Sequence, residues 1–115
     1  MNRLEEGSCE ACRMDAPMVS PDEMPGLLNA LDGWELKQPE GVQQLEKAFS
    51  FPSFAAAMEF ANRVGNAAET ENHHPAMLLE WGKATVTWWS HKIGGLHMND
   101  FIMAAKTDQL YRDQH

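Results

Sequence analysis

The apolar positions of this chain switch between a helical period and a strand period, and the switches mark out its elements. Met24, Leu27, Leu28 and Leu31 recur at helical spacing behind Ser20-Pro21-Asp22-Glu23. In that run Ser20 can cap a helix, Pro21 suits the first helical position and Glu23 completes a capping box. Pro25 fits less well, since it lacks an amide hydrogen just past the first turn. Asp32-Gly33 ends the segment. Trp34 to Lys37 reads as a short strand and Pro39-Glu40-Gly41 as a turn. Leu45, Lys47, Phe49 and Phe51 then alternate with Gln44, Glu46, Ala48 and Ser50, the period of a second strand. Pro52-Ser53 stops that strand and caps a second helix, in which Phe54, Ala57, Met58, Ala61, Val64 and Ala68 form an apolar stripe.

Met77 to Trp81 and Ala84 to Ser90 read as two more strands. Gly82-Lys83 lies between them, and glycine at the first central position suits a type II′ turn. That turn sets Trp81 opposite Ala84, Met77 opposite Trp88, and His74 opposite His91 at the open end of the hairpin. One hairpin face then carries Met77, Leu79, Trp81, Ala84, Val86 and Trp88 and suits a core. The other, with Ala76, Leu78, Glu80, Thr85, Thr87 and Trp89, is apolar enough to meet a second subunit. A glycine-containing loop leads to Asn99, which can cap a last helix through Tyr111, with Asp100 in its first turn. The expected fold is α+β: a four-stranded antiparallel sheet with about three helices on one face, in the order α-β-β-α-β-β-α. Residues 1–19 show no sustained period and are expected to form an irregular arm, with residues 20–115 as a single domain.

Length and charge narrow the function. At 115 residues the chain supports one modest core. Its net charge of −8, from 17 acids against 9 bases, argues against a nucleic-acid surface, which needs clustered Lys and Arg. No apolar run approaches the roughly 18 residues of a membrane span. The N-terminus lacks an apolar signal core, so a cytoplasmic location is expected.

The chemistry concentrates in Glu69-Thr-Glu-Asn-His73-His74-Pro75 and Trp88-Trp-Ser-His91. Imidazole can give or take a proton near neutral pH, so converging histidines suggest a proton-transfer site. His74 precedes proline, which biases its backbone toward an extended form. In a regular strand His73 and His74 would face opposite ways. They can address one substrate only if the segment is irregular or the substrate lies at the strand end.

Glu69-x3-His73-His74-Pro75, five residues to Trp81, nine more to His91 and eight more to Asp100 resembles the signature of pterin-4a-carbinolamine dehydratases. Gly33-Trp34, Phe49-x-Phe51-x-x-Phe54 and Gly95-Leu96 agree with it. The opening Cys9-Glu-Ala-Cys12-Arg-x-Asp-Ala-Pro17 is similar to the bacterial branch that accompanies phenylalanine hydroxylase. The resemblance implies a 4a-hydroxytetrahydrobiopterin dehydratase, a hydro-lyase that removes water from the 4a-carbinolamine and so recycles the hydroxylase's pterin cofactor. It implies His73 and His91 as the catalytic pair, in either acid or base role, and His74 as the partner that holds and protonates the pterin. It also implies Glu69, Pro75, Ser90, Trp34 and Asp100 as substrate-binding or supporting positions. Trp34 would wall the flat pterin. Ser90 stands where the family often has Thr, with the hydroxyl kept. Glu69 either orients an imidazole or ends the second helix, and Asp100 either orients one or serves the helix dipole.

No cofactor and no metal are expected, since the pterin is itself the substrate. Cys9-x2-Cys12 makes half of a four-thiolate zinc site, which His97, His115 or a symmetry mate could complete. The metal-free reading is preferred because no second Cys pair is present. The expected partners are the pterin and an aromatic amino-acid hydroxylase, and the chain is expected to form a homodimer or homotetramer. The competing reading is a non-enzymatic dimerisation or regulatory partner, as animal members of the family provide to a homeodomain transcription factor. A metal-dependent hydrolase is disfavoured by the histidine spacing.

Overall fold

The structure, a computed structural model, describes residues 20, 22–90 and 94–114. The expected N-terminal arm, Pro21, and His91 lie outside the described residues. Three helices, α1 (Met24–Asn29), α2 (Phe54–Glu71) and α3 (Met98–Gln114), and four strands, β1 (Glu35–Lys37), β2 (Gln44–Ser50), β3 (Ala76–Glu80) and β4 (Lys83–Trp88), follow the expected order. The strands form one antiparallel sheet ordered β1-β2-β4-β3. Helix α2 lies over β3 and β4, and α3 lies over β2 and β4.

Local chemistry explains most boundaries. Glu23 N–H donates to Ser20 Oγ at 3.3 Å and Ser20 N–H donates to Glu23 Oε1 at 3.2 Å, so the capping box forms. The helix proper begins only at Met24, which puts Pro25 in its first turn, where the missing amide hydrogen has no partner to lose. Ser53 caps α2 by accepting from Ala56 N–H at 3.1 Å.

Leu45 and Phe49 of β2 and Ala84, Val86 and Trp88 of β4 meet Ala57, Phe60, Val64 and Ala68 of α2, all buried. The buried line on α2 therefore differs from the stripe expected from sequence. Phe60 is fully buried, whereas Phe54 and Met58 are exposed. The helix is rotated so that Phe60 reaches Phe49 and Phe51, at ring-centroid distances of 4.9 and 5.1 Å. Lys47 shares the helix-facing side of β2, and its charge is met there by Asp108 at 2.8 Å and the Asp32 carbonyl at 2.8 Å.

The β3–β4 hairpin departs from the expected register. Leu79 pairs with Ala84 and Met77 with Val86, not with Trp88. The turn is centred on Trp81-Gly82, one residue earlier than Gly82-Lys83. Gly82 takes φ 70° at the second central position, and its carbonyl accepts from Phe51 N–H at 2.8 Å. That contact ties the turn to the end of β2. A shift of two in partner keeps every paired side chain on its expected face. It does carry Trp81 into the turn, 75% exposed, where it adds nothing to the core. Met77 is also exposed, because β3 is an edge strand with no neighbour beyond it among the described residues. The strand pairing ends at Ala76–Thr87, so His74 has no ladder partner. Trp89, just past β4, is half-buried against the core.

No helix among the described residues is long and apolar enough to cross a membrane.

Candidate active site

Helix α2 ends in a way that delivers His73 to the interior. Asn72 adopts the left-handed conformation, φ 52° and ψ 42°, which asparagine tolerates better than most residues. The next amide, His73 N–H, then reaches back to the Ala68 carbonyl at 3.1 Å, closing the helix C-terminus. The chain leaves the helix extended toward Pro75, and consecutive side chains point opposite ways. His73 turns inward and is 6% exposed, while His74 turns outward and is 51% exposed. The segment lies outside any strand, yet the two side chains still diverge as they would in one, so the irregular backbone does not turn both toward the same side.

Inside, the His73 ring stacks on Trp88 of β4, with centroids 5.6 Å apart and planes 10° from parallel. Trp88 is itself held by α3, its indole N–H donating to Thr107 Oγ1 at 3.0 Å. His73 Nε2–H donates to Asp100 Oδ1 at 2.6 Å. Asp100 has no solvent exposure, and its second oxygen accepts from Ser90 Oγ–H and from His97 N–H, each at 2.8 Å. Three donors thus satisfy a buried carboxylate that would otherwise carry a heavy desolvation cost. The arrangement also fixes the tautomer of His73. With Nε2 committed to a carboxylate, Nδ1 holds the lone pair, and no described residue bonds it.

The start of α3 is built around the same carboxylate. His97 Nδ1 accepts from Asn99 N–H at 3.0 Å, while Asp100 returns the favour at His97 N–H. These two bonds form a variant of a capping box, in which imidazole replaces the usual hydroxyl and accepts from the second helical amide while the third residue's carboxylate reaches back to the cap. The cap is therefore His97 and not Asn99, which is itself buried in the first turn. Burial holds the His97 imidazole below the usual 6.5. Asp100 pulls the other way, and His73 adds to the lowering. The sequence offered this residue only as a possible zinc ligand beside Cys9 and Cys12, and its place at the head of α3 was not foreseen. The available signal was His97-x-x-Asp100, the spacing of a capping box just before a helix.

Of the positions singled out from sequence, the structure brings together His73, Ser90 and Asp100. His74 stands at the surface within 3.5 Å of Glu69, with both side chains largely exposed. Pro75 is half-buried between the two histidines' segment and β3. Trp34 is buried away from solvent, where its indole N–H donates to Asp108 Oδ2 at 3.0 Å and its ring meets Phe49 edge-on at 6.0 Å. Its contacts are therefore with the core of the sheet and α3, not with the histidines. Among the described residues no group of three or more His, Cys, Asp or Glu side chains is arranged to hold a metal ion. Cys9 and Cys12 lie outside those residues.

This fold and this histidine–carboxylate constellation coincide with a family match over most of the chain. The model for "Pterin 4 alpha carbinolamine dehydratase" matches residues 17–110, and the chain belongs to that family. It is 55% identical over 111 residues to a Marinobacter nauticus protein named "Putative pterin-4-alpha-carbinolamine dehydratase", covering 96% of this chain and 100% of that one. The crystal structure of a transcriptional coactivator/pterin dehydratase from Brucella melitensis superposes with a TM-score of 0.75 at 29% identity, over 82% of this chain and 98% of that one. A pterin dehydratase-like protein identified as a RuBisCO assembly factor in the alpha-carboxysome shares the fold, with a TM-score of 0.58 at 21% identity over 69% of this chain and 89% of that one.

Proposed function

We propose that this protein is a 4a-hydroxytetrahydropterin dehydratase that regenerates the pterin used by an aromatic amino-acid hydroxylase, phenylalanine hydroxylase being the expected partner. The observation that carries the reading is the 2.6 Å bond from His73 to a fully buried Asp100, in a chain of this family. In the elimination the C4a–O bond breaks, the hydroxyl leaves as water after gaining a proton, and the N5 proton departs as the N5=C4a double bond forms. There is no net oxidation, so two proton transfers suffice and no metal or redox cofactor is called for. His73 suits the base: Nδ1 can accept the N5 proton while Asp100 answers the charge that appears on the ring. His91 and His74 are assigned the complementary acid role and the holding of the pterin. Glu69 supports His74, Pro75 sets the extended backbone between the histidines and β3, and Ser90 steadies Asp100.

The proposal extends to a cytoplasmic homodimer or homotetramer. The edge strand β3 supports it, with Met77 and Leu78 exposed beside a row of backbone groups that pair with no strand among the described residues.

The test is to generate the 4a-carbinolamine with a hydroxylase and follow its decay spectroscopically. Decay should be faster with this protein, should be insensitive to a chelator, and should slow by roughly 10²-fold toward the spontaneous rate with His91→Ala. A decay rate that the protein leaves unchanged would refute the reading.

A further inference from the structure

The proposed chemistry uses His73, and His73 is oriented by Asp100. What orients Asp100 is the turn at the head of α3. Its Oδ2 accepts from His97 N–H, and the His97 ring is locked by Asn99 N–H. The capping box is therefore shared: its carboxylate half is also the partner of the candidate base. In an ordinary box the cap is a hydroxyl, which keeps its acceptor lone pairs at any pH. Here the acceptor is an imidazole nitrogen that becomes a donor once protonated.

We propose that His97 is a positioning residue for the His73–Asp100 pair, holding the carboxylate against His73 while neutral and releasing it when protonated. The proposal rests on the dehydratase reading for its consequence in turnover. Protonated Nδ1–H would face Asn99 N–H, donor against donor, so the ring must turn away. The resulting imidazolium is drawn to the nearest anion. Among the described residues the titratable groups facing His97 are Asp100, on its own helix, and His73, on the segment leaving α2. An imidazolium at His97 then competes with His73 for one carboxylate. The neutral form is favoured by burial, so the hold persists through neutral pH and fails only at some pH below the usual 6.5.

Two variants separate this role from a merely structural one. His97→Ser keeps a capping oxygen but cannot titrate, and His97→Ala removes the cap. At pH 8, His97→Ser should keep kcat within about twofold of the parent, whereas His97→Ala should lose about tenfold in kcat with KM little changed. The acid limb of the parent's kcat profile should move to lower pH in His97→Ser. Circular dichroism of both variants checks that α3 is retained.

A second readout does not depend on turnover. In ¹⁵N-edited spectra the His73 ring nitrogens should shift in step with the titration of His97 in the parent, and that step should vanish in His97→Ser. If His97→Ala matches the parent in rate and pH profile, or His97→Ser is as impaired as His97→Ala at pH 8, the positioning role is wrong. A parent protein with no dehydratase activity would sink the proposed function alone, and the nitrogen shifts would still decide this one: a His73 ring that ignores the His97 titration overturns it.

Discussion

His73 and Asp100 are 27 positions apart in the chain and meet at 2.6 Å in the interior. One comes from the end of α2 and the other from the first turn of α3, so the pair exists only once both helices have docked on the sheet. Trp88 closes the ring face and Ser90 the second carboxylate oxygen. The consequence is a base candidate with one nitrogen fixed and the other bonded by no described residue.

Asp100→Asn should keep the shape of this arrangement and lose its charge. The dehydration rate should fall by roughly 10²-fold or more, because the ring can then adopt the other tautomer and its positive form loses its counter-charge. Carbinolamine decay measures it. A rate within a factor of two or three of the parent would mean that Asp100 serves only to begin α3.

The two adjacent histidines should separate cleanly. His73→Ala removes a buried, stacked ring and leaves Asp100 short of a donor, at a cost of about 2–4 kcal/mol in urea unfolding. His74→Ala removes an exposed side chain with one long contact to Glu69 and should cost about 0.5 kcal/mol or less. Function should divide the other way. His74→Ala weakens binding of an unreactive pterin, and His73→Ala chiefly lowers turnover.

Stability should depend on pH through His97. Its imidazole takes a proton near the usual 6.5 in the unfolded chain and at lower pH in the folded one. The unfolded state therefore binds more protons in that interval, and stability rises with pH across it. The contribution is fully present above 6.5 and is lost as pH falls from there toward the folded value. Urea midpoints at pH 7.5 and 5.5 should differ less in His97→Ser than in the parent.

Leu78 is 59% exposed on the outermost strand of the sheet. If copies of the chain associate along this edge, Leu78→Lys places a charge in the interface and should shift the mass toward the monomer. Light scattering at micromolar concentration decides it. A parent that is already monomeric would refute the homo-oligomer.

Gly82→Ala tests the turn of the hairpin. The residue has φ 70°, and an added Cβ would come within 3.1 Å of the Phe51 carbonyl oxygen. The substitution should destabilise the fold by about 1–2 kcal/mol, the cost of a left-handed L-residue. An unchanged urea midpoint would mean that Gly82 does not need its left-handed backbone to hold this turn.

The order of elements was legible in the sequence because it rests on local rules. Periods of two and 3.6 residues, Ser53 as a cap, Pro52 as a stop and the Ser20–Glu23 box depend on neighbours a few positions away. The Glu69 to Asp100 signature was legible for a different reason: it is a spacing, and spacing survives whatever the fold does. Hairpin faces were also readable within the paired strands, since a two-residue slip leaves every paired side chain on its side, although Trp89, past the last pair, packs against the core.

Burial was not readable, because it depends on what covers a residue and not on the residue itself. Phe54, Met58 and Phe60 are equally apolar, yet only Phe60 meets the rings of β2, since the docking of α2 set its rotation. Met77 and Trp81 follow the pattern of core residues but lie on an edge strand and in its turn. The same reason separates the histidines. His73 and His74 are chemically identical neighbours, and the left-handed turn at Asn72, followed by extended chain, sends one into the interior and the other out. His97 shows the limit most directly. Its spacing to Asp100 was on view, but imidazole is an unusual cap. Only the docking of α3, which brings Asp100 against His73, turned a helix end into part of the candidate site.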